Sequence, residues 1–191
     1  YMDEKDANDN LTGKRVTTSD YASANYYYVN KSSLPKVYGG FNTSLSWKGF
    51  DLSAIFAYSI GGYIYNRDIT MILHNGSLEG RDWSTEILKR WTPENRYTDV
   101  PALSTTSNNW NSASTRFLQN NSYMRLKNLT LSYDLPKQWI SKLALSSVQV
   151  FVQGDNLFTI HRNQGLDPEQ GITGITYYRY PAMRTISGGI N

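Results

Sequence analysis

The chain has 191 residues and a formal charge of +3, from 19 Lys+Arg against 16 Asp+Glu. That length suits one domain or a piece of a larger one, and so small a charge excess, with no basic run, argues against a dedicated nucleic-acid binder. The absence of cysteine excludes a disulfide framework and a zinc-thiolate site, and the longest uncharged apolar-rich stretch, Leu52 to Asn66, is too short and too polar for a transmembrane helix.

An all-β protein remains. Aromatics make up 14% of the chain, led by 15 Tyr, and Asn, Ser, Thr and Gly are abundant. β-branched and aromatic residues fit a pleated surface, while Asn, Ser and Gly supply turns. The first residues, Tyr1-Met2-Asp3-Glu4-Lys5, carry no basic-then-apolar signal and read as an internal start. Residues 1–35 are polar and have no sustained period. Within them Asp6-Ala7-Asn8-Asp9-Asn10 resembles the opening of a calcium loop, but Leu11 stands where the sharp turn wants Gly and Thr17 where a bidentate Glu is expected. The segment reads as a solvated loop.

The clearest two-residue period starts at Lys36. Val37, Gly39, Phe41, Thr43, Leu45 and Trp47 share one face, and Tyr38, Asn42, Ser44 and Ser46 the other, as in a half-buried strand. Lys48-Gly49 is a two-residue hairpin signal. The pattern resumes with Phe50, Leu52, Ala54, Phe56, Tyr58 and Ile60, is interrupted at Gly61-Gly62, and is followed by Tyr63-Ile64-Tyr65. Residues 66–116 differ. Trp83, Ile87 and Trp91 are spaced for a short helix that Pro93 stops, and the remainder is rich in Asn, Ser and Thr. A connection of this length far exceeds the usual loop and points to function or to a small structure of its own.

Alternation returns at Tyr123. Leu129, Leu131 and Tyr133 share a phase, whereas Met124 and Leu126 are out of phase with them. The change predicts a β-bulge near Lys127-Asn128. Leu135-Pro136-Lys137 ends the strand, and Gln138 to Leu143 reads as a short turn. Val148, Val150, Val152 and Gly154 form the next strand face, with Phe151 an apolar exception among the polar positions. A second long connection covers about 159–180. Met183 to Asn191 alternates again, with Ile186, Gly188 and Ile190 on one face.

Short and long connections therefore alternate along the chain. With antiparallel neighbours, the short ones gather at one end and the long ones at the other, as in transmembrane β-barrels. The strands reach the roughly 9–11 residues that cross a bilayer. Trp47 and Phe50 near the tight turn, and Tyr58, Tyr63 and Tyr65 at the far end, suit interfacial aromatic girdles. A soluble β-sandwich with one face in its core produces the same alternation, so a secreted carbohydrate-binding sandwich is the alternative. What Val37, Phe41, Leu45, Leu52 and Phe56 face discriminates between the two.

Several ordered segments resemble the C-terminal part of SusC/RagA-type TonB-dependent outer-membrane transporters. They are Pro35-Lys36-Val37-Tyr38-Gly39-Gly40-Phe41-Asn42, Trp47-Lys48-Gly49-Phe50-Asp51-Leu52, Gly61-Gly62-Tyr63-Ile64-Tyr65-Asn66, Ser122-Tyr123-Met124-Arg125-Leu126-Lys127-Asn128-Leu129-Thr130-Leu131-Ser132-Tyr133 and Gln153-Gly154-Asp155-Asn156-Leu157-Phe158. Gly165-Leu166-Asp167-Pro168-Glu169 and Tyr180-Pro181 follow in the same order. The resemblance covers about residues 35–191. It implies an all-β fold, an antiparallel transmembrane β-barrel segment that supplies roughly the last five strands of a plugged, about 22-stranded barrel. On this reading 1–35 is an extracellular loop segment, 36–65 a wall hairpin, 66–120 a long extracellular loop, 121–158 a second wall hairpin, 159–180 another extracellular loop and 181–191 an incomplete last strand. Such strands usually end in an aromatic residue, so a few residues beyond Asn191 are expected. The resemblance further implies a bacterial outer-membrane location and, as partners, the rest of the barrel and its plug, a SusD-like surface lipoprotein, the bilayer, TonB through an upstream segment, and an oligosaccharide or peptide substrate.

Catalysis finds no support in the residues. His74 and His161 stand alone in loops, and no nucleophile-elbow, Walker A or H-E-x-x-H pattern occurs. Asp167 and Glu169 flank a proline in a turn, and a glycosidase pair would need support from elsewhere. The chain is expected to be no enzyme and to need no cofactor or metal. Binding is the more natural use of the loop aromatics. Trp83, Trp91, Tyr97, Trp110, Tyr177 and Tyr178 are the candidate ligand or partner contacts, because rings with Asn, Asp and Arg neighbours combine stacking with hydrogen bonds. The competing reading has the same rings packing the loops themselves.

Overall fold

In the computed structural model, residues 1–191 are described except 19, 75–79, 105–110, 142–144, 166, 170–172 and 177. The chain divides into two units, one of Tyr1–Asn30 with Thr70–Thr115 and one of Lys31–Ile69 with Arg116–Asn191.

In the first unit, β1 (Met2–Lys5) pairs antiparallel with β2 (Leu11–Val16). The segment read as featureless loop thus carries a hairpin. Its register shifts between Asp3 and Lys5, which is why no clean two-residue period marks it. Asp6 to Asn10 is the exposed connection. There the Asp6 carboxylate accepts the backbone N–H groups of Asn8 at 2.8 Å and Asn10 at 2.9 Å. Those bonds, Asn10's first, hold its carboxyl below the usual range, so the oxygen a calcium ion would want closes a turn. Tyr27 donates to Asp3 at 2.9 Å beneath the Arg15 guanidinium. The expected helix near Trp83 is a single 3-10 segment, Thr85–Lys89. Ser84 caps it by accepting the Glu86 N–H, and Ile87 is buried.

The second unit is built on a five-stranded antiparallel sheet in the order β3-β4-β7-β8-β9. These strands are β3 (Val37–Trp47), β4 (Phe50–Ile60), β7 (Tyr123–Asp134), β8 (Gln149–His161) and β9 (Thr185–Ile190). β3 and β4 pair without a slip from Val37↔Ile60 to Trp47↔Phe50. Lys48 (φ 49°) and Gly49 (φ 87°) both take positive φ between them, the primed turn whose twist matches a hairpin. The second strand of the hairpin read over 36–65 ends at Ile60, before Gly61-Gly62. Beyond it β5 (Tyr63–Tyr65) leaves the main sheet and pairs with β6 (Leu118–Asn120). Ile64 and Phe117 are buried there, and Phe117 meets Tyr65 edge-on. A short helix, α1 (Arg67–Ile72), follows β5, and the buried Asn66 side chain accepts the Ile69 N–H at its start. A second, α2 (Lys137–Ile140), lies in the short β7–β8 connection.

The bulge falls where the phase change places it. Ile55 pairs with Asn128 and Phe56 with Leu126, so Lys127 is the extra residue toward β4. Toward β8, Leu126 pairs with Phe158 and Asn128 with Asp155, and β8 passes two residues there. One is Asn156, held at φ 52°. The bulge returns Met124 and Leu126 to the face of Leu129 and Leu131. Cross-strand partners share a face, so the apolar positions of all five strands form one continuous surface. It runs through Phe41, Leu45, Leu52, Phe56, Leu131, Val152, Ile186 and Ile190.

Candidate functional site

Most of the apolar surface is uncovered, with Ala54 and Leu126 the buried positions on it. Leu45 is 66% exposed, Val37 53%, Val152 48% and Ile186 71%, with Phe41 and Leu52 also exposed. A sandwich core would bury these side chains. An eleven-residue strand such as β3 is about 36 Å long at about 3.3 Å per residue. At a tilt of about 45° it spans about 25 Å, the height of the apolar band of an outer-membrane barrel. No helix among the described residues is long and apolar enough to cross a membrane. Both β3 and β9 are sheet edges. An unclosed sheet, apolar and bare on one side and polar on the other, defines a segment of transmembrane β-barrel wall.

The opposite face is polar and cross-linked. Asn128 donates to Asp155 at 2.8 Å and accepts from Thr130 at 2.9 Å. Gln153 also reaches Asp155, and Ser46 bonds to Asp51 near the tight turn. Phe151, an apolar exception on this face as is Ile55, lies against the backbone of Gly189, where a Cβ would come within 2.9 Å of its ring.

At the long-connection end, this face carries an ion cluster. Arg125, 3% exposed, projects from β7. Its Nε donates to Thr159 at 2.9 Å, Nη2 to Asp167 at 2.5 Å and Nη1 to Glu169 at 2.9 Å. The bulged Lys127 reaches Glu169 as well, at 2.6 Å. Burial pushes the Asp167 carboxyl up. The backbone N–H groups of Ala182 and Glu169, with the Arg125 guanidinium, outweigh that and leave it below the ordinary range. The paired carboxylates flanking Pro168 are therefore partners of a buried cation, an arrangement the spacing alone did not reveal. The available signal was an Arg and a Lys at polar-face positions of a strand, together with two acids in a later loop.

The loop aromatics are distributed between the units. Trp83, Trp91 and Tyr97 fall in the first. Trp83 is 42% exposed and stands edge-on to the buried His74 at 5.4 Å. The Trp91 backbone N–H donates to the Val100 carbonyl, its side chain is 44% exposed, and Tyr97 is fully exposed. Tyr178 belongs to the second unit and is exposed. Trp110 and Tyr177 lie outside the described residues. His74 has no hydrogen-bond partner at either ring nitrogen among the described residues, and His161 Nδ1 lies 3.0 Å from the Asn163 carbonyl.

Comparison with known proteins gives this wall segment a family. No protein-family model matches the chain. It is 33% identical over 163 residues to TonB-dependent receptor P3 of Formosa agariphila, covering 80% of this chain and 16% of that protein. It is 27% identical over 165 residues to TonB-dependent receptor SusC of Bacteroides thetaiotaomicron, covering 86% and 16%. Among solved structures it superimposes on the RagAB peptide importer in the closed-closed state with a TM-score of 0.78 and 34% identity, covering 98% of this chain and 20% of that one. The open-open state gives the same TM-score over 92% and 19%. The chain is a homologue of the SusC-type TonB-dependent receptors, an outer-membrane family. It spans about a sixth of the length of the curated relatives it matches.

Proposed function

We propose that the protein carrying this chain is a TonB-driven outer-membrane nutrient importer, in which the chain supplies barrel wall and loops that face substrate or partner. The observation that carries the reading is the bare, continuous apolar face of five strands backed by a polar, hydrogen-bonded one. Three solved structures with this geometry are of a peptide importer or transporter, which favours peptides over oligosaccharides as the cargo. The connections 61–122 and 162–184 lie on the extracellular side, and the links 48–49 and 135–148 on the periplasmic side. The remaining partners are the rest of the barrel with its plug, a SusD-like surface lipoprotein, and TonB reached through another part of the receptor. Trp83, Trp91, Tyr97, Trp110, Tyr177 and Tyr178 are the candidate contacts. We read the chain as wall and loop and not as an enzyme: Asp167 and Glu169, the carboxylates flanking Pro168, serve Arg125.

The test is uptake in cells. Peptides matching this chain should appear by mass spectrometry in the outer-membrane fraction, within a polypeptide several times longer. Deleting the gene should abolish accumulation of labelled oligopeptides and leave accumulation of labelled maltooligosaccharides unchanged. Recovery of the peptides from a soluble product of about this length overturns the reading.

A further inference from the structure

The connection from β8 to β9 is stitched to the wall along its described length. Near its start, buried Asn163 donates to Asn121 at 3.0 Å, and the Gln164 N–H donates to Gln119 at 3.0 Å. The Gln164 carbonyl accepts from Asn66 at 3.1 Å, and the carbonyl of buried Pro168 accepts from Asn121 at 2.8 Å. Arg125 then clamps Asp167 and Glu169, and the second Asp167 oxygen accepts the Ala182 N–H at 2.7 Å, closing the connection on itself. Farther along, Ile175 forms a parallel bridge with Tyr65. Tyr65 N donates to Gly174 O at 2.7 Å, and Thr176 N to Tyr65 O at 3.2 Å. Fully buried Thr176 also accepts the Asp68 N–H. Finally, Tyr178 sits at φ 38°, an uncommon conformation for a residue with a Cβ. Its N–H is held by the buried Asp68 carboxylate at 3.2 and 3.3 Å.

These anchors lie on Arg125 and Lys127 of the polar face, on the small β5–β6 sheet with the adjoining Asn66 and Asn121, and on Asp68 of α1. A moving lid draws on segments with few buried groups and little hydrogen bonding, and this one has the opposite character. The clamp also brings two cations to two anions, so it adds no net charge to the polar side. A strained backbone retained by surrounding structure marks positions where conformation matters, and here it marks the residue that displays an exposed aromatic ring.

We infer that the described part of the connection 162–184 is a fixed shelf folded over the polar face at the outer mouth of the wall, with Arg125 and Asp68 as its positioning residues. The shelf holds Tyr178 in place for cargo and stays put during transport. This rests on the importer reading above. The shelf, and not its movement, then sets what passes that side of the mouth.

The experiment uses the whole receptor with its natural partners. This chain has no cysteine, and bridge partners stand about 4.8 Å apart, within disulfide reach. The pair Tyr65→Cys and Ile175→Cys therefore locks the shelf when oxidised. With labelled tryptic casein peptides as the probe, uptake by the oxidised and reduced forms should agree within twofold. A tenfold or larger loss on oxidation, restored by reduction, would make the segment a lid and overturn the proposal. Arg125→Met and Asp68→Asn should raise the half-saturating peptide concentration severalfold and leave the maximal rate unchanged. An equal fall in both parameters, or no change in either, counts against positioning. Hydrogen exchange on the unmodified receptor provides an arm independent of cargo. The amides of Thr176 and Ala182 should be protected at least tenfold over that of Tyr180, and unprotected amides there overturn the shelf whatever the uptake result. If the unaltered receptor takes up no probe at all while those amides are protected, the importer reading fails and the shelf stands.

Discussion

Arginine placed along β3 should report depth in a bilayer. Phe41 lies beside Asn42, the middle residue of Val37–Trp47, and its side chain is exposed on the apolar face. Leu45 and Trp47 share that face, four and six residues nearer the tight turn. At about 3.3 Å per residue and about 45° of tilt they lie about 9 and 14 Å closer to the interface. Arginine facing lipid costs about 2–4 kcal/mol at the midplane and about 0–1 near the interface. Phe41→Arg should therefore destabilise by about 2–4 kcal/mol, Trp47→Arg by at most about 1, and Leu45→Arg by an intermediate amount. Asn42→Arg, on the polar face one residue away, should be near neutral. The assay is a urea titration of the whole receptor folded into phospholipid vesicles, followed by electrophoretic mobility of the folded form. A protein core has no such depth scale. Equal large costs at Phe41, Leu45 and Trp47 would mean that this face packs against protein, and the membrane-wall argument would be refuted.

Deleting Lys127 removes the bulge and shifts Tyr123–Leu126 by one position, which turns Arg125 toward lipid and Met124 inward; the receptor should then fail to reach the folded, heat-modifiable form. Gly49→Ala places a Cβ at φ 87° and 3.3 Å from the Asp134 carbonyl, and should cost about 1–2 kcal/mol in the same urea titration. Replacing Arg125 by Met leaves the buried Asp167 without its cation and should cost the connection about 3–5 kcal/mol of local stability, read as lost amide protection at Ala182. The folded Asp167 pKa is depressed, so its contribution is complete above the ordinary carboxylate value and is lost as pH falls through the depressed one. Protection at Ala182, corrected for intrinsic exchange, should hold constant from neutral pH to about pH 4 and decline only below that.

The aromatic candidates illustrate what spacing can and cannot show. Trp83, Trp91, Tyr97 and Tyr178 were identifiable as loop rings because they fall outside every alternating segment. Their neighbours were not identifiable, since a ring's surroundings come from distant chain. Arg125 shows the same limit from the other side. A two-residue period assigns it to the polar face, but its partners lie 42 and 44 residues away, beyond the reach of any local pattern.

Taken alone, the sequence determined the five strands of the main sheet, their faces, the two-residue turn at Lys48-Gly49 and the bulge at Lys127, but not the separate β5–β6 pair. Each follows from alternation and turn chemistry acting over a few neighbouring residues. The β1–β2 hairpin escaped it because a short strand pair with an irregular register leaves no period to read. Tertiary structure alone decided that the apolar face is bare, since the same alternation fits a bilayer or a second sheet, and only the placement of the remaining chain distinguishes them. It also decided that Asp167 and Glu169 of the connection 162–184 fold back onto the polar face. The buried Arg125 guanidinium requires anions for its charge, and the nearest acids the chain supplies to it come from the far side of β8.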